Sequence, residues 1–197
     1  MSGEFERTPE GVVATLTPLE AALLRQFVSE LRMLLEAEVG AGDDGDAETG
    51  EGRGAEADLF ASISEIDQDG PVILPDDPVL ARLLPNAYPD DPESAGDFRR
   101  FTQDRLVARK YAACAAVLAV LPAAEDGPVR VVLDEDGVRD WLGALNDVRL
   151  ALATRLGVEQ DDEDYWEELP ADDPRGTVHE IYQWLGWVQE TLVRAVS

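Results

Sequence analysis

The stretch WLGALNDVRLALATRLGV, residues 141–158, decides how the rest of this sequence is interpreted. Its apolar residues recur at helical spacing and predict an amphipathic helix whose inner stripe is Trp141, Leu145, Val148 and Leu152. Halfway along it stand three polar residues, Asn146, Asp147 and Arg149. Because amide and charged groups are costly to bury without partners, each of the three must face solvent or meet a specific group.

The last predicted helix supplies candidate partners for these three residues. It carries a polar stripe made of His179, Gln183, Gly186 and Glu190. From spacing alone, we predict that Arg149 pairs with Glu190 across a seam between the two helices. Asn146 would pair with Gln183. Asp147 lies further around the circumference of its helix. Two interpretations of this polar cluster stay open: a buried network that fixes helix register, or a functional pocket.

The other patterns predict a mostly α fold, a helical bundle of four long helices plus one or two short ones, with a small three-stranded antiparallel sheet. A hairpin in residues 3–16, turning at Thr8-Pro9-Glu10-Gly11, and the segment 128–133 supply the strands. The long helices are predicted at residues 18–39, 97–121, 135–158 and 177–196. We expect one domain over residues 1–197.

Capping signals mark the predicted helix starts. Thr17 to Glu20 and Thr177 to Glu180 are capping boxes, in which a hydroxyl and a carboxylate satisfy free N–H groups reciprocally. Asp134 is placed to cap the helix quoted above. Asp77-Pro78 opens a short helix that Pro85 ends.

Several segments between these elements lack a helix or strand pattern. Residues 40–57 hold six glycines and six acids without a large apolar group, so we expect a disordered acidic linker. A short amphipathic segment, DLFASISEI, follows at 58–66. Residues 86–96 and 159–173 are predicted to be acidic loops.

The balance of charge separates classes of partner. The chain has 42 acidic residues against 16 basic ones, a formal net charge of -26. Such a chain repels nucleic-acid phosphates and anionic membrane surfaces, so we expect no direct contact with nucleic acid or membrane. The charge favours the basic surfaces of other proteins.

Signals of cellular location are few. The segment MSGEFERTPEG has no basic region followed by an apolar run, so no signal peptide is predicted. No uninterrupted apolar stretch of about 20 residues predicts a membrane span. The single cysteine, Cys114, excludes an internal disulfide and fits a cytoplasmic location.

Signs of catalysis are weak. His179 is the only histidine, so a metal site with several histidine ligands is excluded, and no phosphate loop or dinucleotide motif is present. Cys114 lies on an apolar stripe and is predicted to be a core residue, with a redox role as the alternative. We therefore predict no enzyme, no cofactor and no metal site.

Two groups of residues are candidates for contact with a partner. A basic helix face carries Arg99, Arg100, Arg105, Arg109 and Lys110. This face would dock an acidic partner or the protein's own acidic loop, or it is an ordinary solvated face with internal ion pairs. Aromatic anchors would be the exposed members of a second group, made of Tyr165, Trp166, Tyr182, Trp184 and Trp187. The other members of that group would fill the core.

Four segments, taken in order, resemble a known family. They are ALLRQFVSELRMLL at 22–35, DDPVLARLLPNAYPDD at 76–91, WLGALNDVRLALATRLGV at 141–158 and HEIYQWLGWVQETLV at 179–193. Together they resemble the actinobacterial AosR-like oxidative-stress regulators, long filed as a domain of unknown function. The resemblance covers nearly the whole chain.

This resemblance implies a cytoplasmic regulator. It further implies oxidant sensing through a cysteine disulfide and binding of an extracytoplasmic-function sigma factor, which promotes transcription of sulfur-metabolism genes. Since Cys114 is alone in this chain, an intramolecular disulfide is not carried over. The expected function is a protein-binding module that engages a transcription component such as this class of sigma factor, either alone or as a homodimer.

Two other functions stay open. A small-molecule or ion sensor would have a polar pocket between the last two long helices, lined by Asn146, Arg149, Gln183 and Glu190. A thiol switch would form an intermolecular disulfide or a mixed adduct at Cys114.

Overall fold

The computed structural model describes residues 3–41, 77–84, 92–123, 127–158, 166, 169–170 and 172–197, with only the backbone for residues 38–41 and 92–104. In chain order the elements in these ranges are β1 (Glu6–Thr8), β2 (Gly11–Leu16), α1 (Pro18–Ala41), α2 (Pro78–Leu83), α3 (Pro92–Val120), β3 (Val129–Leu133), α4 (Glu135–Leu156) and α5 (Pro174–Val196). Four long helices, one short helix and a three-stranded antiparallel sheet confirm the predicted fold class.

The sheet is built around β2, which pairs antiparallel with β1 on one side and with β3 on the other. The register sets Val12 opposite Leu133 and Leu16 opposite Val129. Buried and exposed side chains alternate along all five residues of β3, as they do in a strand with one face on the core. The predicted hairpin and the predicted third strand are both confirmed.

Helix α4 is central to the bundle and packs against α1, α2, α3 and α5. Its predicted inner stripe is buried, since Trp141, Leu145, Val148 and Leu152 expose 1% of their surface or less. Burial of each such side chain stabilises the fold by roughly 1.5–3 kcal/mol. Trp141 also meets Phe5 edge to face, with ring centroids 5.5 Å apart, and so joins the bundle to the hairpin side.

Local capping explains three of the helix starts. At α1, Thr17 N–H donates to Glu20 Oε2 at 2.7 Å, and Glu20 N–H donates back to Thr17 Oγ1 at 3.2 Å. Asp134 and Asp77 begin α4 and α2, each by accepting a backbone N–H at 2.8 Å. Helix α4 ends at Gly157, whose left-handed φ of 68° suits a residue without a Cβ.

Two predicted helix starts are wrong by a few residues. Helix α3 begins at Pro92, inside the predicted loop 86–96, because proline suits the first turn of a helix. Helix α5 begins at Pro174 and not at 177, because Asp173 accepts from Arg175 N–H at 2.9 Å. An aspartate followed by proline therefore overrides the capping box that comes after it.

Some predictions fall outside the described residues. Residues 40 and 41 continue the backbone of α1, and the rest of the predicted linker 40–57 lies outside. The amphipathic segment 58–66, residues 86–91 and most of 159–173 lie outside as well. The disorder expected for the linker stays a prediction.

Candidate functional site

The interface between α3 and α4 contains a buried ion pair. Lys110 Nζ lies 2.6 Å from Asp147 Oδ1, and the two side chains expose 13% and 5% of their surface. Because an ion in a low-dielectric interior is costly to leave without its counter-ion, this pair fixes how α3 and α4 fit together. Asp147 therefore belongs to the contact with α3 and not to a cluster facing α5.

The sequence contains a signal for this pair, but the spacing of polar residues along a single helix does not reveal it. Lys110 stands four residues before the buried Cys114, and Asp147 stands four residues before the buried Ala151. Each charge thus lies on the inward stripe of its own helix. Lys110 is also the only lysine in the chain. When one apolar stripe carries a single cation and another carries a single anion, the two residues are candidates to form an ion pair.

A second ion pair ties the short helix α2 to the end of α4. Arg155 Nη2 donates to Asp77 Oδ2 at 2.7 Å, and the side chains expose 15% and 8% of their surface. The other oxygen of Asp77 caps α2 by accepting from Val79 N–H. One carboxylate therefore supplies both a helix start and a tertiary contact.

Cys114 lies in the same interface as the first ion pair and is fully buried. The pKa of its thiol is raised from 9.0 to about 12, mainly by loss of hydration and in part by the Asp147 carboxylate, against the opposing charges of Lys110 and Arg32. The prediction that Cys114 is a core residue is confirmed. A buried thiol that stays protonated is a poor nucleophile, so this environment disfavours reaction with oxidants.

The interface between α4 and α5 is of a different kind, because its guanidinium meets neutral groups. Arg149 Nη1 donates to Gln189 Oε1 at 2.8 Å. Its guanidinium carbon lies 5.1 Å from the centre of the Tyr182 ring, and Nη2 is 3.5 Å from the Tyr182 hydroxyl. Within the described part of the chain, the buried Nε atom of Arg149 has no hydrogen-bond partner.

Gly186 makes room for this guanidinium. A Cβ built on Gly186 would lie 3.3 Å from Arg149 Nη2 and 3.4 Å from Cζ and Nε, closer than side-chain carbons usually approach. Glycine inside a helix costs about 1 kcal/mol relative to alanine. The glycine in the middle of α5 therefore lets the guanidinium lie directly against the helix backbone.

The pairs predicted across this seam are wrong. Glu190 forms its ion pair with Arg194, one turn further along α5. Gln183 Nε2 lies 3.2 Å from His179 Nε2, one turn earlier, and both Gln183 and Glu190 are exposed. Partners three or four residues away on one helix are always within reach, so they compete with partners on another helix.

Asn146 is exposed, although its neighbours Leu145 and Asp147 are both buried. Each helical residue turns by about 100°, so the side chain between two inward positions can point to solvent. Of the five residues in the predicted cluster, only Arg149 forms a described contact between α4 and α5. Its partners on α5 are Tyr182 and Gln189.

An aromatic stack covers the first turns of α5. The ring of Trp166 lies parallel to that of His179 with centroids 4.5 Å apart, and His179 in turn lies 6.1 Å from Tyr182. Burial lowers the pKa of His179, against the opposing charge of Glu180. Trp166 exposes 9% of its surface, so it is not among the exposed anchors, and Tyr165 lies outside the described residues.

The predicted basic face on α3 is only partly described. Arg105 and Arg109 are exposed, and Lys110 is turned inward to Asp147. The side chains of Arg99 and Arg100 lie outside the described residues, although the α3 backbone passes through both positions. Docking of an acidic segment on this face stays a prediction.

The described residues show neither a cluster of metal ligands nor a membrane-spanning helix. No group of three or more His, Cys, Asp or Glu side chains in these ranges converges as metal ligands would. None of the helices described is both long and apolar enough to cross a membrane.

Comparison with known proteins gives one family. A family model described as a domain of unknown function (DUF2017) matches residues 1–196. The oxidative stress regulator AosR of Mycobacterium bovis is 31% identical over 193 residues, which are 91% of this chain and 79% of that protein. The protein of the same name from Mycobacterium tuberculosis H37Rv matches to the same extent.

A shorter match extends to a third mycobacterium. A Mycobacterium leprae protein, provisionally given the same name, is 34% identical over 135 residues, which are 62% of this chain and 59% of that protein. No solved structure matches the chain significantly. The names of these relatives support a regulatory role.

Proposed function

We propose that this chain, which belongs to the DUF2017 family and is related to the AosR oxidative stress regulators, is a protein-binding regulator of transcription. Its partner would be a component of the transcription machinery such as an extracytoplasmic-function sigma factor. The observation that carries the proposal is the similarity to AosR over 91% of the chain. The charge balance is the physical support.

The net charge of -26 favours a protein partner with a basic surface. Complementary charge speeds encounter and selects among partners more than it adds to affinity, and salt weakens it. A regulator of this kind acts on transcription through contact with a protein, since its own surface repels the phosphates of DNA.

The interior chemistry also fits a scaffold for binding better than a catalyst. The buried charges Lys110 and Asp147 satisfy each other, as do Arg155 and Asp77. A catalytic acid or base needs a proton that substrate can reach and a pKa near the working pH. These pairs are instead placed to hold α2 and α3 against α4.

Cys114 is not the trigger in this proposal. Its thiol is fully buried and its pKa is raised to about 12, so oxidants meet neither an accessible nor an ionised sulfur. We expect Cys114→Ser to leave partner binding unchanged after peroxide treatment. Loss of an oxidant response in this variant, with its fold intact, would assign the trigger to the thiol.

Calorimetric titration tests the proposal with the purified chain and each extracytoplasmic-function sigma factor from the same genome. We expect one of them to bind, with affinity falling at least about tenfold between about 50 mM and 300 mM salt. An unrelated protein of similar negative charge serves as the control for charge alone. Absence of binding to every sigma factor at low salt contradicts the proposed partner, and binding that ignores salt contradicts its electrostatic basis.

A further inference from the structure

The two edges of the sheet are treated differently by the fold. The β1 side is covered by α5, because Phe5 N–H donates to Thr191 Oγ1 at 3.2 Å and Arg7 Nε donates to the Ala195 carbonyl at 3.0 Å. The β3 side is the other end of the sheet, with no further strand beyond it in the described residues. Natural proteins usually cover or disrupt such edges, because free backbone groups there pair with other chains.

The register identifies which backbone groups of β3 point outward. Gly3 N–H donates to the Thr15 carbonyl at 2.8 Å, so the backbone groups of Thr15 face the β1 side. Pairing directions alternate along a strand, so the residues of β2 on either side of Thr15 face β3. In β3 itself the ladder then uses Val129, Val131 and Leu133, and the N–H and C=O groups of Arg130 and Val132 point away from the sheet.

These outward groups are unused in the described structure. No described residue forms a hydrogen bond with the backbone of Arg130 or Val132 outside the β2–β3 ladder. Val132 is also one of the exposed large apolar residues, with 39% of its surface accessible. The side chain of Arg130 forms an exposed ion pair with Glu10 at 2.7 Å. An added strand would therefore find four backbone groups that no described residue outside the ladder uses, and an apolar contact.

Charge around this edge indicates what kind of strand fits. Exposed carboxylates lie in the turn before β2 and directly after β3, at Glu10, Asp134, Glu135 and Asp136. Two of the four already pair with arginines, Glu10 with Arg130 and Asp136 with Arg139, so this group of side chains keeps a net negative charge from the other two. The chain as a whole carries -26, so a second copy would bring the same negative charge to the edge. An extended segment rich in lysine or arginine would be attracted to these carboxylates, whereas a second copy of the chain would be repelled by them.

We propose that the outer edge of β3 is a docking site for an extended basic segment of a partner protein, which adds as a fourth strand. Backbone hydrogen bonds to Arg130 and Val132 would supply affinity, and the carboxylates would select the charge of the segment. This inference rests on the proposed function, because it names the surface through which a protein partner is engaged.

The probe for this edge is a decapeptide of alternating lysine and valine. Amide hydrogen exchange is followed by NMR on the full nitrogen-15-labelled chain, with and without the peptide. We expect exchange at the amides of Arg130 and Val132 to slow at least about tenfold when the peptide is bound. A decapeptide of alternating glutamate and valine tests the charge. The lysine peptide with every backbone amide N-methylated tests the strand pairing, and neither control should protect these amides.

Two variants at one exposed position complete the test. Val132→Pro removes the outward N–H without removing a ladder bond, so the lysine peptide should bind at least about tenfold more weakly. Val132→Thr keeps the N–H and should bind as the native chain does. If circular dichroism shows that Val132→Pro is unfolded, the three peptides decide the question alone.

Several results would overturn the docking site. Slow exchange at Arg130 and Val132 without peptide would show that the chain covers its own edge, and protection that grows with protein concentration would assign the edge to a second copy. Equal protection by the glutamate peptide would remove the charge argument. If a sigma factor binds Val132→Pro as tightly as the native chain, the edge proposal fails while the proposed function stands. If the lysine peptide docks but no sigma factor binds, the proposed function fails instead.

Discussion

The two sides of α4 hold their neighbours by different chemistry. Towards α2 and α3, the helix uses two ion pairs, Asp147 with Lys110 and Arg155 with Asp77, each largely buried. Towards α5, it uses Arg149, whose guanidinium rests on neutral groups and on a tyrosine ring. The first side depends on matched opposite charges, and the second depends on shape and on the polarisable face of an aromatic ring.

This difference predicts which substitutions around α4 should lower the free energy of unfolding most. Removing one member of a buried ion pair leaves the other charge in a medium that solvates it poorly. Removing a guanidinium from neutral partners leaves an amide and a hydroxyl, which are far cheaper to re-solvate or re-pair. Comparable substitutions on the two sides of α4 should therefore have unequal effects on the free energy of unfolding.

The largest effect is expected at Asp147. Asp147→Ala leaves the Lys110 ammonium buried without its partner and should lower the free energy of unfolding by about 3–5 kcal/mol. Urea denaturation followed by circular dichroism measures this loss. The double variant Lys110→Met with Asp147→Leu removes both charges and should recover most of it. A loss below about 1 kcal/mol in the single variant would mean that the pair is not buried as described.

The second effect separates the two roles of Asp77. Asp77→Ala removes both the cap on Val79 N–H and the Arg155 ion pair, and should cost about 3 kcal/mol. Asp77→Asn keeps the cap and loses only the charge, so it should cost about 1 kcal/mol less. Thermal unfolding of the two variants measures the difference. Equal losses would show that the cap adds nothing to the ion pair.

The third effect depends on pH and concerns Cys114. Because its pKa is raised from 9.0 to about 12 in the folded protein, the unfolded chain releases the thiol proton first as the pH rises. The contribution of this thiol to stability is complete below pH 9.0 and is lost towards pH 12, at about 1.4 kcal/mol per pH unit.

The check for this effect is a comparison with Cys114→Ala, which has no thiol to titrate. Unfolding free energies of both chains are measured from neutral pH upward, and the native chain should lose stability more steeply above pH 9.0. Parallel curves would contradict the burial of the thiol. In the same range, a thiol reagent should modify Cys114 only after unfolding.

The smallest effect lies on the α5 side and sharpens the comparison. Arg149→Met should cost only about 1 kcal/mol, because the groups it leaves are neutral. In that background, Gly186→Ala should stabilise by up to about 1 kcal/mol, since the added Cβ no longer meets the guanidinium. In the native background the gain should be smaller. Equal gains in the two backgrounds would show that Arg149 does not restrict position 186.

Much of the fold was predictable because its signals are local. The Thr17–Glu20 box and the Asp134 cap each act within one helical turn, and the stripe from Trp141 to Leu152 repeats along one helix. Spacing of this kind states which residues share a face. It predicts the inner side of α4 and the burial of Cys114 without knowledge of any tertiary contact.

The contacts between helices were not predictable in the same way. Lys110 and Asp147 are 37 residues apart, and helical spacing does not say which neighbouring helix a polar residue faces. The predicted pairs of Arg149 with Glu190 and of Asn146 with Gln183 failed for this reason. Residues on one helix also have partners one turn away, and these took Glu190 and Gln183.

The clamp on β1 has a consequence for the order in which the chain folds. Phe5 and Arg7 are fastened to Thr191 and Ala195, so contacts that hold the hairpin join residues almost 190 positions apart. Closing so large a loop is entropically expensive, and proteins rich in distant contacts fold slowly. During synthesis, the outer side of β1 must wait for α5 to leave the ribosome before it is covered. Until then this outer side of β1 stays available to other chains, and chaperones would find it there.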